Sequence, residues 1–571
     1  MKFLIKKIYI IFFLLIIFLI KTEVFAKDGE TKYDKENISN YFTGIISASK
    51  DHNDKAFKHL KKAQSLKNRH SQFNIEFIRT LVLLEKFDKA VNYSKSVWSE
   101  DELFFEADLL LGLNFFLEKD YINAEKHFKR LNKISRYNLF FQDFMGNVLI
   151  AWSKASQGYE EESFQALEKI PKPYYHLKNI QNIFLKCYFN SEKTKILFEE
   201  LIDREDYNFS RYNFFLINYL LHKKKEEEAK KIIKNARKKH SSNLLLKQTE
   251  IFLNEDDKKI KNFFNCEDPK NSLAEFFYII ANLYSSERSY QLSNFYLRIS
   301  IFLNNKFLTN KTLLAENFFF QKKRESSMNI YDSLKSIGSA YSWHASKSIS
   351  EILLDLKGKK YSINKLEKEF KQISKPNFEH YYEFANFYKN NEYYAESIKY
   401  YSLALKKINK NHPLFSHILY RRGTSYERLG DWENAEKDLT TSLEILPDQA
   451  HVLNYLAYSW IDKGINLDKG LEMIKKAAKL RENDGYIIDS LGWAYYVKKN
   501  YIEAELFLRK AVELLPLDPI INDHYADTLW MLNKNIQARY IWNYILNLED
   551  AEQELKDNIS KKLIFGINKK L

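Results

Sequence analysis

Glycine and proline are scarce in this chain, at 14 and 8 among 571 residues. So few turn formers exclude a loop-rich or all-β architecture. Cysteine is almost missing: Cys187 and Cys266 stand alone, which leaves no disulfide framework and no paired CxxC site. The motifs of common chemistries are absent too, with no HExxH, no GxSxG, no GxGxxG and no GxxxxGK phosphate loop. The 13 histidines are dispersed. Their closest pairs, His52/His59 and His412/His417, miss the i, i+4 spacing of a helical metal site and read as surface histidines. We therefore expect no enzyme, no metal and no cofactor.

Long apolar runs are also lacking, except one. Lys2, Lys6 and Lys7 precede an uninterrupted apolar stretch from Ile8 to Ile20, and Val24-Phe25-Ala26 follows with the small residues of a peptidase site. The stretch falls short of the roughly 20 residues a spanning helix needs. Residues 1–26 read as an export signal cleaved before Lys27, or otherwise an uncleaved anchor, and both place the body in the periplasm.

What is present is aromatic and basic. Tyr (38) and Phe (43) supply material for an extended core. The net charge is +14, but the lysines are scattered among Asn, Ile and Glu, as in proteins of AT-rich genomes. The runs Lys223–Lys225 and Arg237–Lys239 flank Glu226–Glu228 and read as ion-paired helix surface. A nucleic-acid partner is not expected, since its binder would cluster its cations.

A repeat organises the rest. Ala56, Ala90 and Ala124 are evenly spaced by 34, as are Gly470, Ala504 and Ala538. Twelve residues before the later slot lies another, small in Gly44/Ala56, Gly112/Ala124, Gly423/Ala435 and Gly492/Ala504. Four residues after it comes a bulky group, such as Leu60, Phe128, Leu439 or Leu508. These spacings place the slots on one helical face, and a small side chain is needed where two helices cross. All eight prolines, Pro447 and Pro516 among them, fall between the helix pairs so defined.

The segment Ile488–Tyr495, followed by Ala504, Leu508, Ala511 and Pro516, resembles a tetratricopeptide repeat almost slot for slot. Tyr420–Pro447, with Gly423, Tyr426 and Ala435, is similar. The stretch from Asn454 also resembles a group of exported repeat proteins of Gram-negative bacteria, notably alphaproteobacteria. The implied fold is all-α: an α-solenoid superhelix of about fifteen helix-turn-helix repeats. Divergent repeats are expected over 27–170, degenerate ones over 171–375, well-matched ones over 376–550, and a solvated capping helix and tail over 551–571. In the middle block the pairs near Thr194, Ile260 and Asn364 are inferred from spacing. Cys187 and Cys266 fall two repeats apart on this register. Solenoid repeats touch only their neighbours, so two buried thiols are expected rather than a disulfide.

The resemblance implies a protein-binding scaffold or adaptor for envelope proteins or peptides, with a component of an envelope or polysaccharide export machine as the alternative and an enzyme as the weakest reading. First helices line the concave groove. The expected groove residues are Tyr420, Thr424, Glu427, Asn454, Tyr458, Asp489, Trp493, Tyr496, Asp523, Asp527 and Trp530. Such a groove is aromatic and acidic and should favour basic or amide-rich segments. The Lys and Asn set with which some repeats of this type grip a terminal carboxylate is missing, so carboxylate capture is not expected. Trp493 and Trp530 either face the groove or pack between repeats. Membrane contact is expected only through residues 1–26, if uncleaved.

Overall fold

Side-chain caps set the starts of several helices. Asp34, Asn243, Asp268, Asn377, Asp431, Asp484 and Asp518 each accept a hydrogen bond from a backbone N–H of the first turn that follows. Pro269 and Pro519 occupy first turns, where no backbone donor is lost. In a computed structural model, residues 34–67, 70–134, 143–255 and 258–567 are described, and the expected export signal lies outside them. Thirty α-helices and no strand occur among these residues.

Two compact units divide at Ser362/Ile363. The first holds α1 (Lys35–Ser49), α2 (Asn53–Lys62), α3 (Ser71–Leu83), α4 (Phe87–Val97), α5 (Phe105–Leu117) and α6 (Tyr121–Ile134). It continues with α7 (Met145–Ser156), α8 (Glu160–Glu168), α9 (Tyr175–Tyr188), α10 (Thr194–Ile202), α11 (Tyr212–His222) and α12 (Glu226–Lys239). Next come α13 (Leu244–Asn254), α14 (Pro269–Ser286), α15 (Tyr290–Leu303), α16 (Leu308–Phe320), α17 (Arg324–Leu334) and α18 (Ser339–Lys357), and α19 (Lys359–Lys371) spans the division. The second unit holds α20 (Phe378–Asn390), α21 (Tyr394–Leu405), α22 (Phe415–Arg428), α23 (Trp432–Ile445), α24 (Ala450–Asp462) and α25 (Leu467–Leu480). It ends with α26 (Gly485–Val497), α27 (Tyr501–Leu514), α28 (Pro519–Met531), α29 (Asn535–Ile545) and α30 (Gln553–Phe565). The helices pair in sequence as the repeat requires. Among the described residues two helices lack a helical partner: the terminal α30, and α13, after which the chain near Ile260 forms only a short 3-10 turn, Lys258–Asn262.

The small slots do what their spacing implies. A Cβ on Gly112 would lie 2.4 Å from Phe128 Cε1, and one on Gly492 2.5 Å from Leu508 Cγ. Gly44 and Gly423 approach Leu60 and Leu439 in the same way, and Ala56, Ala124, Ala435, Ala504 and Ala538 are fully buried. The turn inside the repeat has a mark that the sequence hides. It contains one residue with left-handed backbone, and at Glu85, Lys119, Lys224, Lys322, Lys499 and Asn533 that residue is not glycine. The triple-acidic run after Lys225 is surface, as expected, with Glu228 2.7 Å from Lys195 and Glu227 3.5 Å from Lys230.

The first unit closes on itself. Phe87 of α4 stacks on Phe302 of α15 at 4.1 Å, Gln291 donates to the Ala48 carbonyl at 2.9 Å, and Gln321 donates to Asp51 at 2.9 Å. Arg298 pairs with Glu85, and Lys323 with Asp51. One continuous apolar core runs from Ala48 to Ile352, uniting the segments expected as separate repeat blocks over 27–170 and 171–375 up to the division. This closure overturns the expectation of two free thiols. Cys187 and Cys266 form a disulfide with Cα atoms 5.8 Å apart. Contact between neighbouring repeats alone does not hold here, because the curling chain brings α14 against α7 and α9.

Candidate binding face of the second unit

In the second unit α20, α22, α24, α26 and α28 are the first helices of their pairs, and side chains from adjacent ones meet along one face. Tyr420 lies edge-on to His451 at 4.7 Å, the Tyr455 hydroxyl donates to Glu427 at 2.7 Å, and Trp493 stacks on His524 at 4.1 Å. Tyr420, Asn454, Tyr458, Trp493, Tyr496 and Trp530 are half-buried on it. Thr424, Asp489, Asp523 and Asp527 are buried.

The carboxylates at the C-terminal end are already engaged by this chain. His524 Nδ1 lies 3.0 Å from Asp489 Oδ1. Trp542 Nε1 donates to Asp523 and Asp527 at 3.1 and 3.2 Å, and Lys562 of α30 donates to both at 2.8 Å. The acidic groove expected from the sequence is thus closed by internal partners. The capping helix is also more than a solvated end, since its Lys562 is three-quarters or more withdrawn from solvent against these aspartates. Burial and the neighbouring Asp523 push Asp527 up to about 7, even with Lys562 beside it. For His524 burial pulls downward, but Asp489, Asp523 and Asp527 outweigh it and hold the imidazole above its usual range. Trp493 packs between repeats, against Tyr496 at 4.6 Å as well as His524. Trp530 lies against Trp542 at 5.4 Å, with Arg539 across its ring at 5.3 Å.

The opposite end of the face is basic, and sequence reasoning missed it. Lys389 of α20 donates to Thr424 Oγ1 and sits 5.9 Å from the centre of the Tyr420 ring. Arg421 Nε donates to His417 Nε2 at 3.2 Å, and the His417 and His451 rings are 6.4 Å apart. Burial, then Arg421 and Arg428, pulls Lys389 down to about 8. Burial, then Arg421, His451 and Lys389, pulls His417 down to about 4. The signal was available: His417 and His451 occupy the same register slot, six residues before Gly423 and Ala457.

In the first unit the corresponding helices spend their polar groups inward. Arg211 forms a two-pronged pair with Glu275 at 2.8 and 2.9 Å, donates to Thr309 at 3.3 Å, and stacks 4.1 Å from the centre of Tyr278. Burial raises Glu275 to about 7 despite Arg211.

No family model matches the chain. A TPR repeat-containing protein of Pseudomonas aeruginosa is 34% identical over 113 residues, covering 20% of this chain and 19% of that relative, so the match spans about a fifth of the relative's length. Among solved structures, a tetratricopeptide repeat protein from Parabacteroides merdae superposes with a TM-score of 0.32 at 20% identity, covering 38% of this chain and 86% of that one. The APC/C hetero-tetramer Cut9–Hcn1 gives 0.36 at 13% identity, covering 93% and 97%. Over those 113 residues the chain is similar to a TPR repeat-containing protein, and its consecutive helix pairs are of the tetratricopeptide type.

Proposed function

We propose that the protein is a non-catalytic scaffold of the bacterial envelope that holds segments of other proteins along the first-helix face of its second unit. One observation carries this reading: Tyr420, Asn454, Tyr458, Trp493 and Tyr496 form a half-buried aromatic and polar row there, whereas the first unit turns its equivalent groups into its own core. Aromatic rings with few rotamers make good anchors. The charged groups Lys389, Arg421 and Glu427 along the row favour a protein segment over a polysaccharide. Two features support the envelope: the signal-like residues 1–26, and a disulfide, which persists in an oxidising compartment.

The test is position-specific crosslinking in cells. A photo-reactive residue at Tyr458 should yield discrete adducts that the same residue at the exposed outer-helix position Lys437 does not. Equal labelling at both, or none at Tyr458, overturns the binding face. Fractionation should place the protein outside the cytoplasm; a cytoplasmic pool with reduced Cys187 and Cys266 overturns the compartment.

A further inference from the structure

Several buried and half-buried cations in this protein are given carboxylates. Arg79 has Glu106 at 2.6 Å, Arg130 has Asp108 at 2.9 Å, Arg211 has Glu275, Arg422 has Asp438 at 2.7 Å, and Lys562 has Asp523 and Asp527. The basic end of the second unit's face breaks this pattern. The partners of Lys389 and Arg421 are neutral: Thr424 for the first, His417 and the Tyr401 hydroxyl for the second. The charges acting on Lys389 are Arg421 and Arg428, and those acting on His417 are Arg421, His451 and Lys389, so no carboxylate is among them. Glu427 accepts from Tyr455 and reaches Arg428 only at 3.8 Å. Two further atoms on this stretch, His451 Nε2 and Asn454 Oδ1, are withdrawn from solvent without a hydrogen-bond partner.

Cations held together and partly desolvated without a counter-charge are costly, and an arriving anion would remove that cost. We propose that Lys389 and Arg421, walled by Tyr420 and His451, form a receptor for the Asp or Glu side chains of an extended acidic protein segment. This inference rests on the face being the binding face, and it reverses the partner chemistry expected from the sequence. The aspartates that pointed to a basic partner are neutralised within the chain, while the charge left uncompensated on the face is positive. The acceptor is a side-chain carboxylate within a segment, consistent with the missing terminal-carboxylate set.

The experiment uses the full disulfide-bonded protein and three fluorescent probes read by anisotropy: a short Asp/Glu-rich peptide containing tyrosine, its Asn/Gln twin, and an oligothymidylate of matching charge. The acidic peptide should bind, and its amide twin should bind at least about tenfold more weakly. Lys389→Gln with Arg421→Gln should weaken the acidic peptide by a similar factor, while Lys437→Gln on the outer surface should not. A wild-type measurement guards against a misfolded variant: the His451 ring resonance should titrate at higher pH in the presence of the acidic peptide. Equal binding of both peptides overturns the anion receptor and leaves the binding face standing. Tighter binding of the oligothymidylate than of the peptide overturns the protein-segment assignment. Absence of peptide binding, with adducts still formed at Tyr458, overturns this inference alone. Absence of both overturns it together with the binding face.

Discussion

In the first unit, side chains some 240 residues apart in sequence touch, as Gln291 does the carbonyl of Ala48, and a single core joins Ala48 to Ile352. In the second, the described hydrogen bonds link neighbouring repeats, as Lys562 does Asp523 across 39 residues, and the buried apolar residues fall into separate clusters around Ala385, Ala457 and Ala526. The same repeat therefore yields two kinds of object. Stacked without closure, repeats behave as coupled neighbours with a long shared face. Curled until distant repeats meet, they share one core and lose that face to it. A binding surface in a repeat protein is thus a matter of what the chain leaves uncovered.

This contrast can be broken at several points. The largest effect should come from Arg211→Met, which strands Glu275 in the first unit's core and should cost about 3–5 kcal/mol of stability. Denaturation followed by residue-resolved hydrogen exchange should show the loss across α1–α18 and leave α20–α30 unchanged. Removing the disulfide by Cys187→Ser and Cys266→Ser should cost about 2–4 kcal/mol, again in the first unit alone, because it frees a loop of 79 residues in the unfolded chain.

Matched substitutions sharpen the comparison. Gly112→Ala and Gly492→Ala create the same clash, with Phe128 and with Leu508, and each should cost about 1–3 kcal/mol. Exchange should quicken throughout the first unit for Gly112→Ala, but only in the repeats flanking α26 for Gly492→Ala.

The smallest effect is a pH response at the end of the second unit. Asp527 and His524 both have folded pKa values above their unfolded ones, so the folded state holds the extra proton. The contribution of Asp527 is full below its unfolded value of about 4 and fades as pH rises toward 7. That of His524 is full below about 6.5 and is lost as pH rises through its elevated value. Exchange protection of α28–α30 should therefore be greater at pH 5 than at pH 8, with the difference reduced in Asp527→Asn.

The repeat itself was legible because it leaves a periodic trace. Gly112, Ala124 and Phe128 sit where a 34-residue helix pair needs a gap and a filler, and the structure puts Phe128 against Gly112. Closure leaves no such trace. Nothing in the spacing around Asp51 announces Lys323, and Cys187 gives no sign that a curled chain will deliver Cys266. The acidic reading of the face failed for a related reason. Asp489, Asp523 and Asp527 were placed correctly on their helices, but their partners His524, Trp542 and Lys562 come from other elements. Lys389 was legible, since it lies four residues after Ala385, the slot that also gives Glu427, Tyr496 and Trp530, whereas Arg421 falls between the expected groove slots. The left-handed turn residues were hidden because Lys and Glu stand where glycine would have advertised the turn.

The Cys187–Cys266 bond also makes α10 to α13 a covalent ring within the chain. A protease that cuts anywhere in that ring severs the backbone without parting the molecule. Such a nicked protein would migrate as a single species until reduced, and its damage would go unseen in any assay that keeps the disulfide intact.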